Sequence, residues 1–452
     1  MTERLVVIGA DAAGMSAATN ARRGRPASDL AIDAFDRGDH SSYSACGIPY
    51  FVGGIVETID DLVARTPSEF RTRQHIDVAL GHEVTEIDTG RGAVRVAPRD
   101  GRARWEPYDQ LMVAVGATPV RPPLEGLDAD GVFGVQSLDD GTAIRDWIRR
   151  EQPETAVVVG GGYVSLEMAE AFTELGIQTH VVEAAPHPMT TLDPDMGDLV
   201  AAGLREFGVR LHLGTEVEGF EVRAGRVHAV RTDAGDLPAG IVALGLGVRP
   251  NVALAEAAGI RIGRSGAIAV DDHQRTSVER IWSGGDCCEK WHRVSQQGVA
   301  IALGTHANKQ GRVAGSNIGG LDLSFPGVVG TAATKVGALQ VARTGLTTAE
   351  AHEAGFRPVA VEADATTRAG YYPGAAPITT KLLFDESSRA LLGAQIVGRE
   401  GAAKRIDVLA VALWNGMTVD EVVDLDLSYA PPYSPVWDPV LVAARAAGAR
   451  RG

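Results

Sequence analysis

The sequence predicts an α/β protein with two dinucleotide-binding units and a separate α+β region at its C-terminal end. A short apolar run, a glycine-rich turn and a helix-compatible stretch follow one another twice, first from Leu5 and again about 150 residues later. After Gly319-Gly320 the pattern changes to short alternating runs without a glycine fingerprint. A chain of 452 residues is also too long for one core, so two or three domains are expected.

Composition and charge narrow the class of protein. The chain has 45% hydrophobic and 22% charged residues, which is ordinary for a soluble globular protein. Its net charge of −15 argues against nucleic acid or anionic membrane as a partner. No apolar run is long enough to span a bilayer, and no signal-peptide pattern opens the chain, so a cytoplasmic location is expected.

Three cysteines are present, Cys46, Cys287 and Cys288. Because no C-x-x-C occurs, neither a zinc site nor a dithiol of the thioredoxin type is expected, and we predict no metal site. An odd and sparse count fits a reducing compartment. Adjacent cysteines cannot easily chelate one metal or form an unstrained disulfide, so Cys287 and Cys288 are interpreted as structural.

The first unit begins with the buried-strand pattern Leu5–Ile8, and a second strand from Leu30 ends in an acid, Asp36. Gly9 allows the tight turn and Gly14 allows close helix–strand packing, while Asp36 is placed for ribose hydroxyls. The helix N-terminus would face a pyrophosphate. Asp11 stands where the motif has its middle glycine, which weakens the match.

The second unit repeats this order. A strand at Thr155–Val159 leads into Gly160-Gly161-Gly162, and the next strand again ends in an acid, Glu183. Such a carboxylate accepts a hydrogen bond from a ribose 2′-hydroxyl and repels a 2′-phosphate. Because the loop after it, residues 184–187, contains no arginine, the sequence favours NADH over NADPH at this unit.

One cysteine lies between the two units, in the stretch Ser41–Tyr50. Pro49 suits the first turn of a helix, so Cys46 would sit at the positive end of that helix, where the thiolate is favoured. A buried structural cysteine is the alternative, because free cysteine is often buried. The two nucleotide motifs on either side favour the redox interpretation.

The remaining elements follow the same two patterns. Apolar strands that end in a tight turn are predicted at Leu111–Pro119 and Ile241–Pro250, a further apolar strand at Ile281–Gly284, and a helix from Gly304. The C-terminal region is predicted to contain two helices, Ala402–Asn415 and Val419–Val423. Its predicted strands lie around Leu339–Ala342, Pro358–Glu362, Lys381–Phe384 and Leu392–Val397.

These residues together resemble the flavoprotein pyridine nucleotide–disulfide oxidoreductases, over essentially the whole chain. The signature Ser42-x-x-x-Cys46-Gly47-x-Pro49-Tyr50 resembles the coenzyme A disulfide reductases and related NADH oxidases, which use a single redox cysteine. Four further segments agree with that group: Gly304–Arg312, Tyr371–Gly374, Lys404–Asp407 and Asp426–Tyr433.

The resemblance implies three domains. Two are Rossmann-like: an FAD-binding domain made of residues 1–112 and 266–322, and an NAD(P)-binding domain at 113–265. The third, at 323–452, is an α+β dimerisation domain, so a homodimer is implied. Asp286 would bind ribityl hydroxyls of FAD, and Glu167 would lie near the flavin. The implied cofactor contacts are Gly9, Ala12, Gly14, Asp36, Arg37, Ser42, Val84, Ala114, Gly116, Asp286, Ala307, Gly160, Gly162, Tyr163, Val164, Glu167, Glu183 and Gly245.

The resemblance also implies the reaction. Cys46 would attack a small-molecule disulfide and keep one half as a mixed disulfide, which electrons from NADH then resolve by way of FAD. Tyr371 and Tyr429 would reach Cys46 of the partner subunit, where a tyrosine hydroxyl could protonate the leaving thiolate. The implied substrate contacts are Ser16, Asn20, Arg23, Arg71 and His306.

Two positions depart from the coenzyme A disulfide reductases. Ala45 stands where many of them have asparagine, and Trp437 stands where they carry a lysine. Ala45 lacks the amide of asparagine and Trp437 lacks the positive charge of lysine. The substrate could therefore be another low-molecular-weight disulfide, a persulfide or a polysulfide.

Two other functions stay open. The first is an NADH oxidase or peroxidase whose Cys46 cycles through a sulfenic acid. Related peroxidases have a histidine in the first glycine loop, where this chain has Asp11-Ala12-Ala13, which counts against peroxide chemistry. The second is a flavoprotein that binds or signals without turnover.

Overall fold

A computed structural model describes residues 2–449. Met1 and residues 450–452, which the predicted first and third domains include, lie outside the described residues. The N-terminal part of the chain contains two short 3₁₀ turns, Ala45–Gly47 and Ile59–Leu62, besides the helices and strands given next. Its helices and strands are β1 (Glu3–Ile8), α1 (Ala12–Gly24), β2 (Leu30–Phe35), α2 (Ile48–Val52), α3 (Pro67–Gln74), β3 (Asp77–Ala79), β4 (His82–Asp88), β5 (Ala93–Pro98), β6 (Arg104–Pro107), β7 (Gln110–Val113) and β8 (Ala117–Pro119).

The middle of the chain contains the second glycine turn and the return to the first sheet. Its elements are β9 (Val132–Gly134), α4 (Leu138–Glu151), β10 (Thr155–Val159), α5 (Tyr163–Glu174), β11 (Gln178–Glu183), α6 (Pro194–Phe207), β12 (Arg210–Leu213), β13 (Val217–Arg223), β14 (Arg226–Thr232), β15 (Leu237–Pro238), β16 (Ile241–Leu244), β17 (Val248–Pro250), α7 (Ala253–Ala257), β18 (Ile281–Ser283), β19 (Lys290–His292), β20 (Gln297–Val299) and α8 (Gly304–Ile318).

The C-terminal part does not alternate strand and helix as the two nucleotide units do, and most of its strands come before most of its helices. Its elements are β21 (Ala332–Val336), β22 (Leu339–Gly345), α9 (Thr348–Glu353), β23 (Pro358–Thr366), β24 (Pro377–Asp385), β25 (Leu391–Gly398), α10 (Ala402–Trp414), α11 (Val419–Val423) and α12 (Pro439–Gly448). No helix within the described range 2–449 is long and apolar enough to cross a membrane.

The first sheet is parallel, in the order β18-β7-β1-β2-β3. Ile8, at the end of β1, lies opposite both Phe35 and Val113, so the carboxyl ends of three neighbouring strands share one edge. Ligands of open parallel sheets bind outside such an edge. Strand β18 lies about 170 residues beyond β7 in the chain, so two separate segments build this sheet.

Helices α1 and α8 cross closely over this sheet. A Cβ on Gly315 would lie 2.1 Å from the carbonyl oxygen of Ala17, and one on Gly311 would lie 2.2 Å from that of Ala13. Only glycine allows this approach, because any side chain would overlap the backbone of the other helix. The close crossing fixes where the start of α8 lies relative to the first glycine turn.

The second sheet is also parallel, in the order β12-β11-β10-β16-β9. Leu111–Pro119 and Ile241–Pro250 were each predicted as a strand that ends in a tight turn. The strands β7 and β16 end at Val113 and Leu244, and Gly116 and Gly247 adopt positive φ in the turns that follow. The residues beyond these glycines, β8 and β17, pair with each other in a two-stranded ribbon.

The C-terminal sheet is antiparallel, in the order β21-β22-β25-β24-β23. The sequence predicted four of these strands and missed β21 and the last helix, α12. Every residue of β25 is buried, because both α10 and α6 of the second unit contact it. Burial on both sides hides the alternation that normally marks an antiparallel strand.

A buried ion pair joins the C-terminal sheet to the second nucleotide unit. Lys381 on β24 lies 2.9 Å from Asp193 and 2.6 Å from Asp195, which flank the start of α6. The side chains of Lys381 and Asp193 are only 7% and 4% exposed. Thr348 also donates to Asp193 through its backbone and its hydroxyl. The side-chain hydrogen bonds from Lys381 and Thr348 keep the pKa of Asp193 below its usual value although burial acts in the opposite direction.

Replacing the buried cation should loosen this junction. Lys381→Met leaves Asp193 buried without its cation, which typically costs about 3 kcal/mol or more. We expect the midpoint of thermal unfolding to fall by about 5 °C or more. The matched control is Lys404→Met, since Lys404 pairs with Asp407 at the surface with its side chain 85% exposed and should change the midpoint little. Equal effects of the two substitutions would contradict this assignment.

Candidate active site

The first glycine turn is held by an acid. The carboxylate of Asp36, just after β2, accepts hydrogen bonds from the backbone N–H of Ala10 at 2.7 Å and of Gly38 at 2.8 Å. Gly9 has φ +100°, and a Cβ there would lie 2.2 Å from the carbonyl oxygen of Ala114. The turn therefore requires glycine, and it leaves the start of α1 open to a ligand at the sheet edge.

The second glycine turn has the same arrangement. The carboxylate of Glu183, at the end of β11, accepts from the backbone N–H of Gly161 at 2.6 Å and of Ala185 at 2.8 Å. Gly160 has φ +101°, and a Cβ there would lie 2.5 Å from the carbonyl oxygen of Gly245. Each turn thus presents a helix N-terminus beside an oriented carboxylate, which suits the pyrophosphate and ribose of a dinucleotide.

Asp11, the residue that weakened the first motif, connects the glycine turn to the cysteine segment. Its Oδ1 accepts from the backbone N–H of Tyr43 at 3.1 Å, and Ser42 donates its N–H to the Ala10 carbonyl at 2.9 Å. Ser42 adopts a left-handed φ of +48°. Burial and the charge of Asp36 together raise the pKa of Asp11 to about 6, although the hydrogen bond from Tyr43 acts in the opposite direction. Asp11, the residue that departs from the motif, therefore anchors the stretch that contains Cys46.

Cys46 is exposed in the 3₁₀ turn that precedes α2. Burial by the surrounding protein raises the pKa of its thiol, and the carboxylates of Glu167, Asp286 and Asp11 raise it further. The predicted lowering by a helix dipole is wrong for this structure. Because α2 has only five residues, its dipole is weak, and three carboxylates oppose it.

The other two cysteines, Cys287 and Cys288, are fully buried and free. Both belong to the hydrophobic core around β1 and β7. Burial raises the pKa of both thiols, so both are held as neutral thiols. This location agrees with the structural role interpreted from their adjacency.

Glu167 lies on the inner face of α5, one turn after the second glycine turn. Its Oε1 accepts a hydrogen bond from the hydroxyl of Thr334 at 2.9 Å. Burial raises the pKa of Glu167, and the hydrogen bond from Thr334 opposes that rise. Helix α2, which follows Cys46 directly, packs against α5. Glu167 is also the carboxylate with the largest effect on the pKa of Cys46.

Asp286 follows β18 at the edge of the first sheet. Its Oδ1 is buried and has no hydrogen-bond partner within residues 2–449, and burial raises the pKa of this carboxyl. A buried acceptor without a donor is costly, so a ligand hydroxyl is the group that this position lacks. Lys290, buried beneath it, donates to the carbonyl oxygens of Gly285 at 2.6 Å and Cys288 at 2.8 Å and holds the loop in place.

His306 begins α8 beside this loop. Its Nδ1 is buried without a partner within residues 2–449. Burial and the nearby charge of Lys290 together lower the pKa of His306 to about 4. The imidazole is therefore neutral near pH 7. It can form a hydrogen bond with a ligand, but it cannot contribute a positive charge.

The predicted substrate residues on α1 share one helix face. Ser16, Asn20 and Arg23 follow each other at intervals of four and three residues, which places them on adjacent turns. The amide of Asn20 donates to the Ser16 carbonyl at 2.8 Å, and its oxygen accepts weakly from Arg23 at 3.4 Å. Arg71 lies on α3, where it pairs with Asp77 at the surface.

The remaining predicted cofactor residues fall into two groups. The side chain of Val84 packs in the core, so only its backbone can meet a ligand. Arg37 is exposed on the loop after β2. The starts of α1 and α5 contain Ala12, Gly14, Gly162, Tyr163 and Val164. Ala114 and Gly245 closely approach the two glycine turns, Ala307 on α8 lies near Gly285, and Gly116 lies in the turn after β7.

The two predicted catalytic tyrosines lie together, on the C-terminal domain. Tyr371 is 78% exposed and Tyr429 is 48% exposed. A hydrogen bond with Tyr429 raises the pKa of Tyr371. The largest influences on Cys46 come from other groups. Within one chain, the structure therefore pairs the tyrosines with each other rather than with the cysteine.

Sequence reasoning missed two residues of the site, Thr334 and Lys290. Thr334 lies on β21, a strand that was not predicted, and it contacts a glutamate 167 residues away in sequence. Lys290 lies on β19, a strand of three residues. Neither position belongs to a motif, and a long-range contact has no signature in local periodicity.

Comparison with protein-family models gives two matches. Residues 3–311 match the model described as pyridine nucleotide-disulphide oxidoreductase. Residues 331–439 match the model described as the dimerisation domain of the same proteins. The second match covers both tyrosines, Thr334 and Lys381.

Individual proteins match over nearly the whole chain. The NAD(P)H coenzyme A polysulfide/persulfide reductase of Pyrococcus horikoshii is 40% identical over 448 residues, which are 98% of each chain. The NADH oxidase of Methanocaldococcus jannaschii is 36% identical over 442 residues, again 98% of each. The structure of an NAD-dependent persulfide reductase from A. fulgidus aligns with a TM-score of 0.96 and 40% identity, over 99% of this chain and 83% of that one.

Proposed function

Because this chain belongs to the pyridine nucleotide-disulphide oxidoreductases, whose cofactors are FAD and NAD(P)H, we propose that it reduces a low-molecular-weight disulfide through Cys46. FAD, when bound, carries electrons from the nicotinamide to the cysteine. The observation that carries the proposal is the position of Cys46. It is the exposed one of three cysteines, and the carboxylates that act on it, Glu167 and Asp286, belong to the two nucleotide units.

The residues support a two-step exchange at Cys46. The thiolate attacks one sulfur of the disulfide, the S–S bond breaks, and the other half leaves as a thiolate that takes up a proton. Two electrons then cleave the mixed disulfide and, with a proton, release the second thiol while Cys46 returns to its starting state. Cys287 and Cys288 are buried, so the second sulfur of the exchange comes from the substrate.

We propose coenzyme A disulfide or a related persulfide or polysulfide as the substrate. The P. horikoshii relative is named for coenzyme A polysulfide and persulfide. The face of α1 that carries Ser16, Asn20 and Arg23 offers this chain a polar surface for such a substrate. Arg71, whose surface pair with Asp77 is weak, can turn toward a phosphate.

For the electron donor, we propose NADH in preference to NADPH. Both oxygens of Glu183 are fixed by backbone N–H groups, so the carboxylate cannot turn away from a ribose at this turn. A 2′-phosphate there would meet a negative charge. The loop of residues 184–187 contributes no lysine or arginine to offset it.

We propose further that the active site is completed by a second copy of the chain. Tyr371 and Tyr429 are exposed on the domain that matches the dimerisation model. Other large side chains of the same domain are exposed too, including Tyr433 at 77% and Val436 at 68%. Apolar surface of this kind is normally covered by a partner. Either tyrosine hydroxyl could then protonate the thiolate that leaves Cys46 of the other subunit.

A variant of the cysteine tests the proposed reaction. Cys46→Ser removes the nucleophile, so anaerobic reduction of coenzyme A disulfide by the holoenzyme should fall about a thousandfold or more, while NADH still bleaches the flavin. Wild-type rates measured separately with NADH and NADPH should favour NADH by about tenfold or more. The control Ser44→Ala, a change at an exposed neighbour, should keep the wild-type rate.

Disulfide reduction that survives in Cys46→Ser would refute the proposed role of this thiol. A wild-type holoenzyme that reduces neither coenzyme A disulfide nor a persulfide nor a polysulfide would refute the proposed function.

Subunit mixing tests the proposed completion of the site. Cys46→Ser is co-expressed, under a different affinity tag, with the double variant Tyr371→Phe/Tyr429→Phe. If the cysteine and tyrosines of a site come from different subunits, the purified mixed dimer regains one intact site of two, and about half the wild-type rate. If they come from the same subunit, both sites stay defective and the mixed dimer is no faster than its parents.

An NADH oxidase is the second candidate function, because the M. jannaschii relative carries that name. In that case Cys46 would cycle through a sulfenic acid. Rapid NADH consumption with oxygen alone, unchanged by added disulfide, would favour the oxidase. Oxygen consumption that is slow beside disulfide reduction would favour the reductase.

A further inference from the structure

Two neighbouring contacts join the C-terminal sheet to the helix beside Cys46. The hydroxyl of Thr334, on β21, donates to Oε1 of Glu167 at 2.9 Å. The next residue, Lys335, pairs with Glu170 at 2.7 Å, one turn further along α5. Strand β21 therefore fixes two acids of one helix face, and Glu167 is the one whose charge acts most strongly on Cys46.

The hydrogen bond to Glu167 is positioned to orient the carboxylate. Thr334 is only 7% exposed, so water does not compete freely for its hydroxyl. A threonine has a stiff χ1, and β21 is fixed by five pairs in its register with β22. A glutamate carboxylate, by contrast, rotates broadly about its last torsion unless a partner holds it.

We propose that Thr334 is a positioning residue, whose hydroxyl holds the Glu167 carboxylate in the orientation from which it acts on the sulfur of Cys46. The proposal rests on the proposed function, in which Cys46 is the redox thiol. It makes the docking of the C-terminal domain a determinant of cysteine reactivity in the N-terminal domain.

The charged groups around Glu167 set the direction of the expected effect. Burial raises the pKa of Glu167, the hydrogen bond from Thr334 lowers it, the charge of Glu170 raises it and that of Lys335 lowers it. Without the Thr334 hydroxyl, the hydrogen bond that lowers the pKa of Glu167 is lost, so this pKa rises further. Tyr50 on α2 also faces this carboxylate, but burial and the charge of Glu167 raise the pKa of its phenol, so it stays neutral.

Around Cys46, the pKa of the thiol is raised by burial and then by the carboxylates of Glu167, Asp286 and Asp11. When Glu167 takes up a proton, its share of this repulsion disappears and a larger fraction of Cys46 ionises. The pH dependence of Cys46 reactivity therefore contains a second step at the pKa of Glu167.

Alkylation of the thiol measures this step without turnover. The holoenzyme is reduced, freed of reductant and treated with iodoacetamide across a range of pH, and the rate at Cys46 is followed by peptide mass. Cys287 and Cys288 are buried and do not compete. We expect Thr334→Val to move the step upward by about one pH unit, because a hydrogen bond to a charged group is lost. Thr334→Ser should leave it in place.

Two further variants serve as references. Glu167→Gln should abolish the step, which assigns it to this carboxyl group. Thr380→Val is the matched control, because the hydroxyl of Thr380 is buried in the same domain and has no partner within residues 2–449. The same chemical change there should leave the step at its wild-type pH.

The proposal would be overturned if the step in Thr334→Val stayed at the pH found for the wild-type protein. It would also be overturned if the profile of the wild-type protein showed no step. A shift in Thr334→Ser as large as in Thr334→Val would also overturn it, since the hydroxyl would not be the cause. Thr334→Ala provides a second variant without the hydroxyl if Thr334→Val fails to fold. Alkylation needs no disulfide substrate, so a failure of the proposed function would be seen separately, in the reduction assay.

Discussion

The proposed site depends on one constraint: Cys46 is held among carboxylates that oppose its ionisation. Burial and the charges of Glu167, Asp286 and Asp11 all raise the pKa of the thiol. A raised pKa lowers the fraction of Cys46 that is present as thiolate, which is the reactive form. A change in the charge or orientation of any of these acids changes the fraction of thiolate, so the site can be controlled from a distance.

The three acids reach Cys46 because of how the elements meet. Asp11 comes from the first glycine turn, Asp286 from the strand end beside it, and Glu167 from the helix after the second glycine turn. The carboxyl ends of parallel strands share one edge of each sheet, so residues distant in sequence arrive at the same place. The C-terminal sheet then fixes the second unit through Lys381 and Thr334.

The glycine turns and their closing acids could be predicted from the sequence, because each lies in a short pattern with a local physical cause. Asp36 and Glu183 follow their strands directly, and both accept a backbone hydrogen bond from their glycine turn. The family, and with it the C-terminal dimerisation domain, could be predicted from motif order. Matches to the two family models confirm this.

The electrostatics of the site could not be predicted in the same way. A proline after Cys46 suggested a helix dipole, but α2 proved too short to outweigh carboxylates that come from elsewhere in the chain. Asp11 looked like a defect in a motif and proved to be a tether for the cysteine segment. Thr334 and Lys381 act across more than about 150 residues, and no local pattern encodes such contacts.

The measurement that tests the central claim most directly is the site of the covalent adduct. The holoenzyme, reduced and then exposed anaerobically to coenzyme A disulfide, is examined by intact mass and by peptide mapping. The account predicts one coenzyme A half-molecule per chain, on the peptide that contains Cys46, and its release on addition of NADH. No adduct on that peptide, or an adduct on the peptide with Cys287 and Cys288, would contradict the account.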